Sequence, residues 1–163
     1  MPRIYFENYP RGFRIAGIIF SKSGESVALI ERYKDGRHYF VFPGGGMETT
    51  DRSKKDALLR EIKEETNLFV KVISQPYQID ILGHSRQFFY ICRHAEGELS
   101  IVGEEEGKQS ANYQYLIGWF PMADLRKKKV YPLEVRDWLL EDFSSGYWRK
   151  RKMKVSSFDF LKV

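Results

Sequence analysis

The chain has 163 residues, of which 42% are hydrophobic and 15% aromatic, which is enough to build the core of one domain. Its apolar runs are much shorter than the roughly 20 residues that span a bilayer, so we do not expect the chain to be a membrane protein. The formal net charge of +5 favours polyanionic partners, either phosphorylated metabolites or nucleic acid.

The N-terminal region and the single cysteine limit the compartment and the kinds of site that the sequence predicts. The region after Met1 has no apolar segment followed by a small-residue cleavage site, so we expect an intracellular, cytoplasmic protein. Cys92 cannot form an internal disulfide or a multi-cysteine metal site, and we expect a buried thiol. Without repeats or linkers, the sequence predicts one domain over residues 1–163, with a basic segment at about 147–163.

The first part of the chain predicts three strands and a loop. Two runs rich in Ile, Val and Ala, Arg14–Phe20 and Ser26–Glu31, are separated by a polar turn and predict an antiparallel pair. The β-branched and aromatic run His38–Phe42 predicts a third strand, which ends at Pro43. Three glycines follow Pro43 and indicate a loop whose backbone can approach other groups closely.

The clearest helix is predicted from Ser53 to Thr66. Ser53 and Asp56 form a capping box, and an apolar stripe follows at helical spacing: Ala57, Leu58, Leu59 and Ile62. After this helix, four further strands are predicted at Leu68–Ile73, Tyr77–Leu82, Gln87–Cys92 and Tyr113–Phe120. Pro132 opens a second amphipathic helix, Leu133–Phe143. Helices and strands alternate without a strict βαβ rhythm, which indicates an α+β protein with a mixed sheet.

The predicted first helix carries three carboxylates on one face. Glu61, Glu64 and Glu65 lie three and four residues apart, and each helical residue turns by about 100°. Like charges at this spacing repel, and Arg60 offers the obvious local relief. A hard divalent cation would relieve the rest, since carboxylate oxygens suit Mg²⁺ or Mn²⁺. A face that is merely solvated is the alternative interpretation.

The segment from Gly46 to Leu68 resembles the box of the Nudix hydrolase family (MutT-like). The pattern is G-x5-E-x7-R-E-U-x-E-E-x-G-U, where U is a bulky aliphatic residue, and the positions that match are Gly46, Arg60, Glu61, Ile62, Glu64, Glu65 and Leu68. The preceding Phe42-Pro43-Gly44-Gly45 is also typical of the family. The order of the predicted strands is similar too, so the resemblance extends over most of the chain.

Two positions depart from the box. Asn67 replaces the glycine after the helix, and because asparagine is the next best residue for a left-handed C-cap, we expect a normal helix end. Arg52 occupies the position of the first box glutamate, although Glu48 and Asp51 lie close by. If the loop carries one inserted residue, Asp51 could take the vacant role.

The resemblance implies a fold and a reaction. The fold is an α/β/α sandwich with the mixed sheet between helices. The reaction is Mg²⁺- or Mn²⁺-dependent hydrolysis of phosphorus-containing anhydrides, in which water attacks one phosphorus of a nucleoside diphosphate linked to another group. Nucleoside triphosphates, nucleotide sugars and dinucleotides all remain open as substrates, and so does a homodimeric state.

The resemblance also implies roles for individual residues. Arg60 would hold the helix glutamates in place, and Glu61 would bind metal or orient the attacking water. The candidate metal ligands are Gly45, Glu61, Glu64 and Glu65, and the catalytic candidates are Arg60, Glu61, Glu64 and Glu105. Glu105 belongs to the glycine-flanked acidic loop Glu104–Glu106, for which a solvated loop is equally open. The candidates for substrate binding are Gly44, Gly46 and Tyr115, although Tyr115 also fits simple core packing.

Two other functions remain open at the level of sequence. Arg52 raises the alternative of a non-catalytic Nudix-fold module that binds nucleotides. The basic run Arg149–Lys152, with Trp148 beside it, raises that of a hydrolase acting on RNA ends, although a basic tail is more often only solvated.

Overall fold

The computed structural model describes residues 12–81, 85–100 and 113–145, together with the backbone of Lys154–Phe158. The strands of this part are β1 (Phe13–Phe20), β2 (Ser26–Lys34), β3 (Arg37–Val41), β4 (Gly44–Gly46), β5 (Phe69–Ile81), β6 (Ser85–Glu96), β7 (Tyr113–Pro121), β8 (Val130–Tyr131) and β9 (Lys154–Phe158). The helices are α1 (Lys54–Thr66) and α2 (Leu133–Ser145), and a 3₁₀ helix covers Met122–Lys127.

These strands form one mixed sheet with β1 at its centre. β1 pairs in parallel with β6 along its whole length and antiparallel with the short β4. It meets β2 at a single pair of residues, Phe20 and Val27, while β2 pairs antiparallel with both β3 and β7. The sheet therefore splays between β1 and β2 and curls around the core. The predicted α+β class with a mixed sheet is confirmed.

One face of the sheet packs against α2. Ile18 and Phe20 of β1 are buried in a core that includes Val135 and Leu139 of that helix. Successive side chains of a strand point to opposite faces, so the residues of β1 next to Ile18 and Phe20 point to the other face of the sheet. The second predicted helix is confirmed and extends two residues further, to Ser145.

The other face of the sheet packs against α1. Ile15 and Ile19 of β1 share a core with Leu58 and Ile62 of the helix. A Cβ atom at Gly17 would lie 2.7 Å from Ile62 Cδ1, so the glycine lets the helix approach the strand closely. With a helix on each face, the sheet forms the middle layer of the expected α/β/α sandwich.

Helix α1 begins and ends where its sequence predicts. The Ser53 hydroxyl accepts a hydrogen bond from the Asp56 N–H, with a donor–acceptor distance of 3.1 Å. At the other end Asn67 has φ 63° and ψ 18°, and its N–H donates to the Lys63 carbonyl. The prediction that Asn67 serves as a left-handed C-cap in place of the box glycine is confirmed.

The strand after α1 differs from the prediction. Leu68–Ile73 and Tyr77–Leu82 were expected as two strands, but β5 runs without a break. Its pairing with β6 shifts register between Val72 and Ser74 and again before Tyr77. Pro76 lies in this irregular stretch and has no N–H to donate, so bulges rather than a turn account for the polar interruption.

Cys92 is fully buried in the core beneath α1, as expected from its apolar surroundings. Burial raises the pKa of the Cys92 thiol to about 12, so the thiol stays protonated near neutral pH. Within the described residues, no helix is long and apolar enough to cross a membrane.

Candidate functional site

The glycine loop and the carboxylate face of α1 lie directly against each other. The Gly44 N–H donates to Glu65 Oε2 over 2.8 Å. A Cβ atom at Gly45 would lie 2.5–2.6 Å from the carboxylate atoms of Glu61, so only glycine leaves room for that carboxylate. The three glycines were predicted to form a loop. In the structure they form the short strand β4, which pairs with β1. Because β1 also packs against α1, the same strand positions both parts of the site.

Arg60 joins the loop to the helix. Its Nε and Nη2 atoms donate to the two carboxylate oxygens of Asp51 at 3.0 and 2.8 Å, a bidentate pair. Its Nη1 atom donates to Glu61 Oε1 at 3.0 Å and to Glu64 Oε2 at 3.3 Å. Nη2 also donates to the Gly46 carbonyl at 3.3 Å. One guanidinium therefore contacts the loop before the helix and two glutamates of the helix's acidic face.

Asp51 is the carboxylate best placed to replace the missing box glutamate. Its side chain is 6% exposed, and besides the two hydrogen bonds from Arg60 it accepts a third from the Glu48 N–H at 2.7 Å. The Arg60 guanidinium beside it holds the pKa of the Asp51 carboxyl below its usual range. Arg52 is exposed. The Glu48 carboxylate is 59% exposed and lies 3.4 Å from Arg60, a peripheral contact.

The glutamates of the helix face differ in their surroundings. The side chain of Glu61 is 13% exposed and that of Glu64 is 57% exposed. Burial raises the pKa of the Glu61 carboxyl, and the nearby Arg60 opposes this effect. Glu65 is half-buried and its carboxylate is directed to the glycine loop. The face therefore combines one nearly buried carboxylate with one that is open to solvent.

These donors suit a hard divalent cation, although they do not already surround one. Among the described residues, no three acidic, histidine or cysteine side chains are gathered as a ready metal site. The carboxylates of Glu61 and Glu64 turn instead toward Arg60 Nη1. A cation held by these carboxylates would compete with the arginine for them, while Asp51 also pairs with the arginine. The chemistry of the donors fits Mg²⁺ or Mn²⁺, because all of them are oxygen atoms.

A cleft of about 350 Å³ opens beside the glycine loop. Gly44 and Gly45 form part of its wall, and its apolar surfaces come from Phe42, Phe89 and Tyr131. Its polar lining consists of Arg14, Arg32 and Gln87. The cleft therefore places two positive charges and an aromatic surface next to the loop that contacts Glu61 and Glu65.

Arg32 is a functional candidate that the sequence interpretation missed. Its Nε atom is buried and has no hydrogen-bond partner among the described residues. Its guanidinium carbon lies 5.0 Å from the centre of the Tyr115 ring. The predicted second strand ended at Glu31, but β2 continues to Lys34 and carries Arg32 into the cleft wall. Alternation along the full strand was the signal that could have found it.

Tyr115 does not line the cleft. It is 4% exposed and lies beside Arg32, because β7 pairs with β2 and brings these two residues into register. Any effect of Tyr115 on a ligand would pass through Arg32. Glu105 and the whole loop Glu104–Glu106 lie outside the described residues, as does Arg149–Lys152, so their expected roles stay predictions.

Comparisons with known proteins agree with this architecture. The model of the NUDIX domain matches residues 10–139. Protein 111R of Invertebrate iridescent virus 3 is 41% identical over 66 residues, which is 40% of this chain and 37% of that protein. The match thus spans little more than a third of that relative.

Solved structures share the fold at low sequence identity. A MutT structure from work on Aliivibrio salmonicida and Vibrio cholerae aligns with a TM-score of 0.61 and 22% identity, covering 82% of this chain and 95% of its own. An ADP-ribose pyrophosphatase structure from Streptococcus suis aligns with a TM-score of 0.58 and 19% identity, covering 90% of this chain and 98% of its own.

The close approach of Gly45 and Glu61 predicts a loss of metal affinity in Gly45→Ala. The added Cβ would displace the Glu61 carboxylate, and we expect Mn²⁺ to bind at least roughly tenfold more weakly in calorimetric titrations. Gly118→Ala is the matched control, because its Cβ would only touch the Phe120 ring at 3.4 Å. Wild-type affinity in Gly45→Ala would show that Glu61 takes no part in binding the cation.

Proposed function

The chain belongs to the Nudix family, and from that membership we propose that it is a hydrolase of phosphorus-containing anhydrides. It would cleave the diphosphate linkage of a nucleotide-like substrate in which a nucleoside diphosphate is joined to another group. The observation that carries this proposal is the contact of the glycine loop with the glutamate face, beside a cleft that holds two arginines. The substrates to compare are nucleoside triphosphates, nucleotide sugars and dinucleotides.

Glu61, Glu64 and Glu65 would hold Mg²⁺ or Mn²⁺, with the Gly45 carbonyl as a further oxygen ligand. The cation, when bound, offsets the negative charge of the diphosphate and acts as a Lewis acid toward it. The contact of Gly44 with Glu65 supports this assignment, because it fixes the loop and one carboxylate relative to each other.

The other residues of the site supply charge and orientation. Arg60 donates hydrogen bonds to Glu61 and Glu64 and joins them to the loop through Asp51. Arg14 and Arg32 would bind the phosphate groups, while the aromatic wall of the cleft contacts the nucleoside. Water forms a new bond to one phosphorus as the bridging P–O bond breaks, and a carboxylate accepts the proton of the water. Glu61 and Glu105 are the candidates for that acceptor.

Arg52 in place of the box glutamate raised the alternative of a non-catalytic module that binds nucleotides. The surroundings of Asp51 do not favour that alternative. Asp51 provides the buried carboxylate that pairs with Arg60, so the loop and helix remain joined. A binding module would hold nucleotides without releasing a product. A hydrolase would release one under the same conditions, provided that a divalent cation is present.

A substrate screen tests the proposed reaction. We expect release of a phosphate-containing product from at least one nucleoside triphosphate, nucleotide sugar or dinucleoside polyphosphate when Mg²⁺ or Mn²⁺ is present. Excess EDTA should abolish that release, since the carboxylates supply no cation charge of their own. Activity that persists in EDTA, or no cleavage of any compound with either cation, would contradict the proposal.

Glu65→Gln should lower the turnover of the best substrate by at least roughly 10²-fold, because the amide removes a metal ligand's charge. A glutamine oxygen can still accept the hydrogen bond of Gly44, so we expect an unchanged melting temperature. Glu25→Gln, at an exposed turn position, is the control and should retain wild-type kcat. Equal rates in both variants would mean that the carboxylate face is only solvated.

Arg32→Ala should raise KM for the same substrate at least roughly tenfold, since a charged hydrogen bond to phosphate is lost. We expect the melting temperature to stay near that of the wild type, because the Arg32 Nε atom has no hydrogen-bond partner in the described part of the chain. Arg93→Ala removes an exposed arginine elsewhere and serves as the control. A lower melting temperature with unchanged KM would show that Arg32 only packs on Tyr115.

A further inference from the structure

A second cavity adjoins the cleft, and we call it the basic groove. It measures about 1140 Å³, and its lining includes Arg37, Lys127, Lys128, Lys129, Tyr39 and Tyr131. Tyr131 also lines the cleft, so the two cavities meet at this residue. They follow strands β3 and β8, which pair in parallel at Phe40 with Val130 and at Val41 with Tyr131.

The described lining of the basic groove carries more positive than negative charge, although Arg37 lies over the Tyr39 ring and Lys128 over the Phe40 ring. Its four arginine and lysine side chains face one carboxylate, that of Glu31. Glu31 is already engaged, at 2.7 Å from His38 Nε2 and 3.0 Å from the Tyr33 hydroxyl. Within the described residues, the groove's cationic side chains form no ion pairs. Such a surface attracts an anionic ligand.

Aromatic rings alternate with these cations. Tyr131 is 44% exposed and meets the Tyr39 ring edge to face, with 5.8 Å between the ring centroids. His38 stacks on the exposed Tyr33 ring, with 4.3 Å between centroids. Exposed rings beside cations are what single-stranded nucleic acid requires, since bases stack on the rings while the cations follow the phosphates. A small inorganic anion would use the charges alone.

The basic groove begins at Tyr131, where the cleft ends, so one ligand can occupy both. A nucleic-acid backbone consists of phosphodiesters, so a phosphoanhydride can occur only at the end of a strand. We propose that the basic groove binds single-stranded nucleic acid whose terminal phosphoanhydride lies in the cleft. This rests on the proposed function, and it narrows the substrate to the end of a strand. The nucleotides after the terminal one would pass Tyr131 and lie along Lys127–Lys129.

Binding is measured on the full chain in EDTA, so that no turnover occurs. The probe is a ten-nucleotide strand with a 5′-triphosphate and a 3′-fluorophore, followed by fluorescence anisotropy at several salt concentrations. Lys127→Ala/Lys129→Ala should bind at least roughly tenfold more weakly, and its salt dependence should be shallower by about 1.4 in slope. Lys22→Ala/Lys71→Ala, which removes the same charge from exposed positions elsewhere, should bind within about twofold of wild type. Equal weakening in both would overturn the proposal.

Tyr131→Ala and Tyr131→Phe test the stacking. We expect Tyr131→Ala to weaken strand binding by roughly fivefold or more, and Tyr131→Phe to bind as the wild type does. Unchanged binding in Tyr131→Ala, with inorganic tripolyphosphate displacing the strand at equal phosphate concentration, would indicate a general polyanion site and overturn the proposal. So would binding that is lost only when Arg149–Lys152 is replaced by alanines, because the basic tail would then be the site.

Hydrolysis rates distinguish a failure of the groove proposal from a failure of the proposed hydrolase function. With Mg²⁺, the wild type should cleave the triphosphorylated strand with a kcat/KM at least roughly tenfold above that for the free nucleoside triphosphate, and Lys127→Ala/Lys129→Ala should lose that advantage. Strand binding that needs the groove lysines, with no cleavage of any compound, would support the groove and contradict the hydrolase. Cleavage of small nucleotides with no preference for the strand would support the hydrolase and overturn the groove.

Discussion

The bidentate pair of Arg60 with Asp51 is the interaction on which the rest of the site depends. The same guanidinium contacts Glu61 and Glu64, so one cation joins the loop before α1 to the acidic face of the helix. Without it, glutamates three and four residues apart would repel one another. Asp51 would also lose its charged partner and keep only the hydrogen bond from the Glu48 N–H. The pair thus holds the loop and the helix together, while Glu65 accepts its hydrogen bond from Gly44 in the glycine loop.

Strand β1 gives this arrangement its rigidity. It pairs with β4, which carries the glycines, and it packs against α1 through the close contact of Gly17 with Ile62. The loop and the helix are therefore positioned by a common element at the centre of the sheet. Residues of β1, β4 and β6 line much of the cleft, and the basic groove continues from it at Tyr131 along β3.

Features set by local sequence, including the antiparallel pair β1 and β2, were predictable, and those set by pairing between distant strands were not. Spacing alone predicted the glutamate face of α1, and its caps at Ser53 and Asn67 follow from short-range chemistry. The role of Asp51 was open, since a one-residue shift in a loop depends on how that loop folds back on Arg60. Arg32 was missed, because its place beside Tyr115 results from the pairing of β2 with a strand about 80 residues later.

The Mn²⁺ affinity of Asp51→Asn, measured from the electron paramagnetic resonance signal of free Mn²⁺, tests the role of the Arg60–Asp51 pair most directly. Once released from Asp51, Arg60 would compete more strongly for Glu61 and Glu64, and we predict roughly tenfold weaker binding. Glu48→Gln, which removes only the peripheral contact, should bind Mn²⁺ within about twofold of the wild type. Wild-type affinity in Asp51→Asn, or equal weakening in both variants, would contradict the central role of this pair.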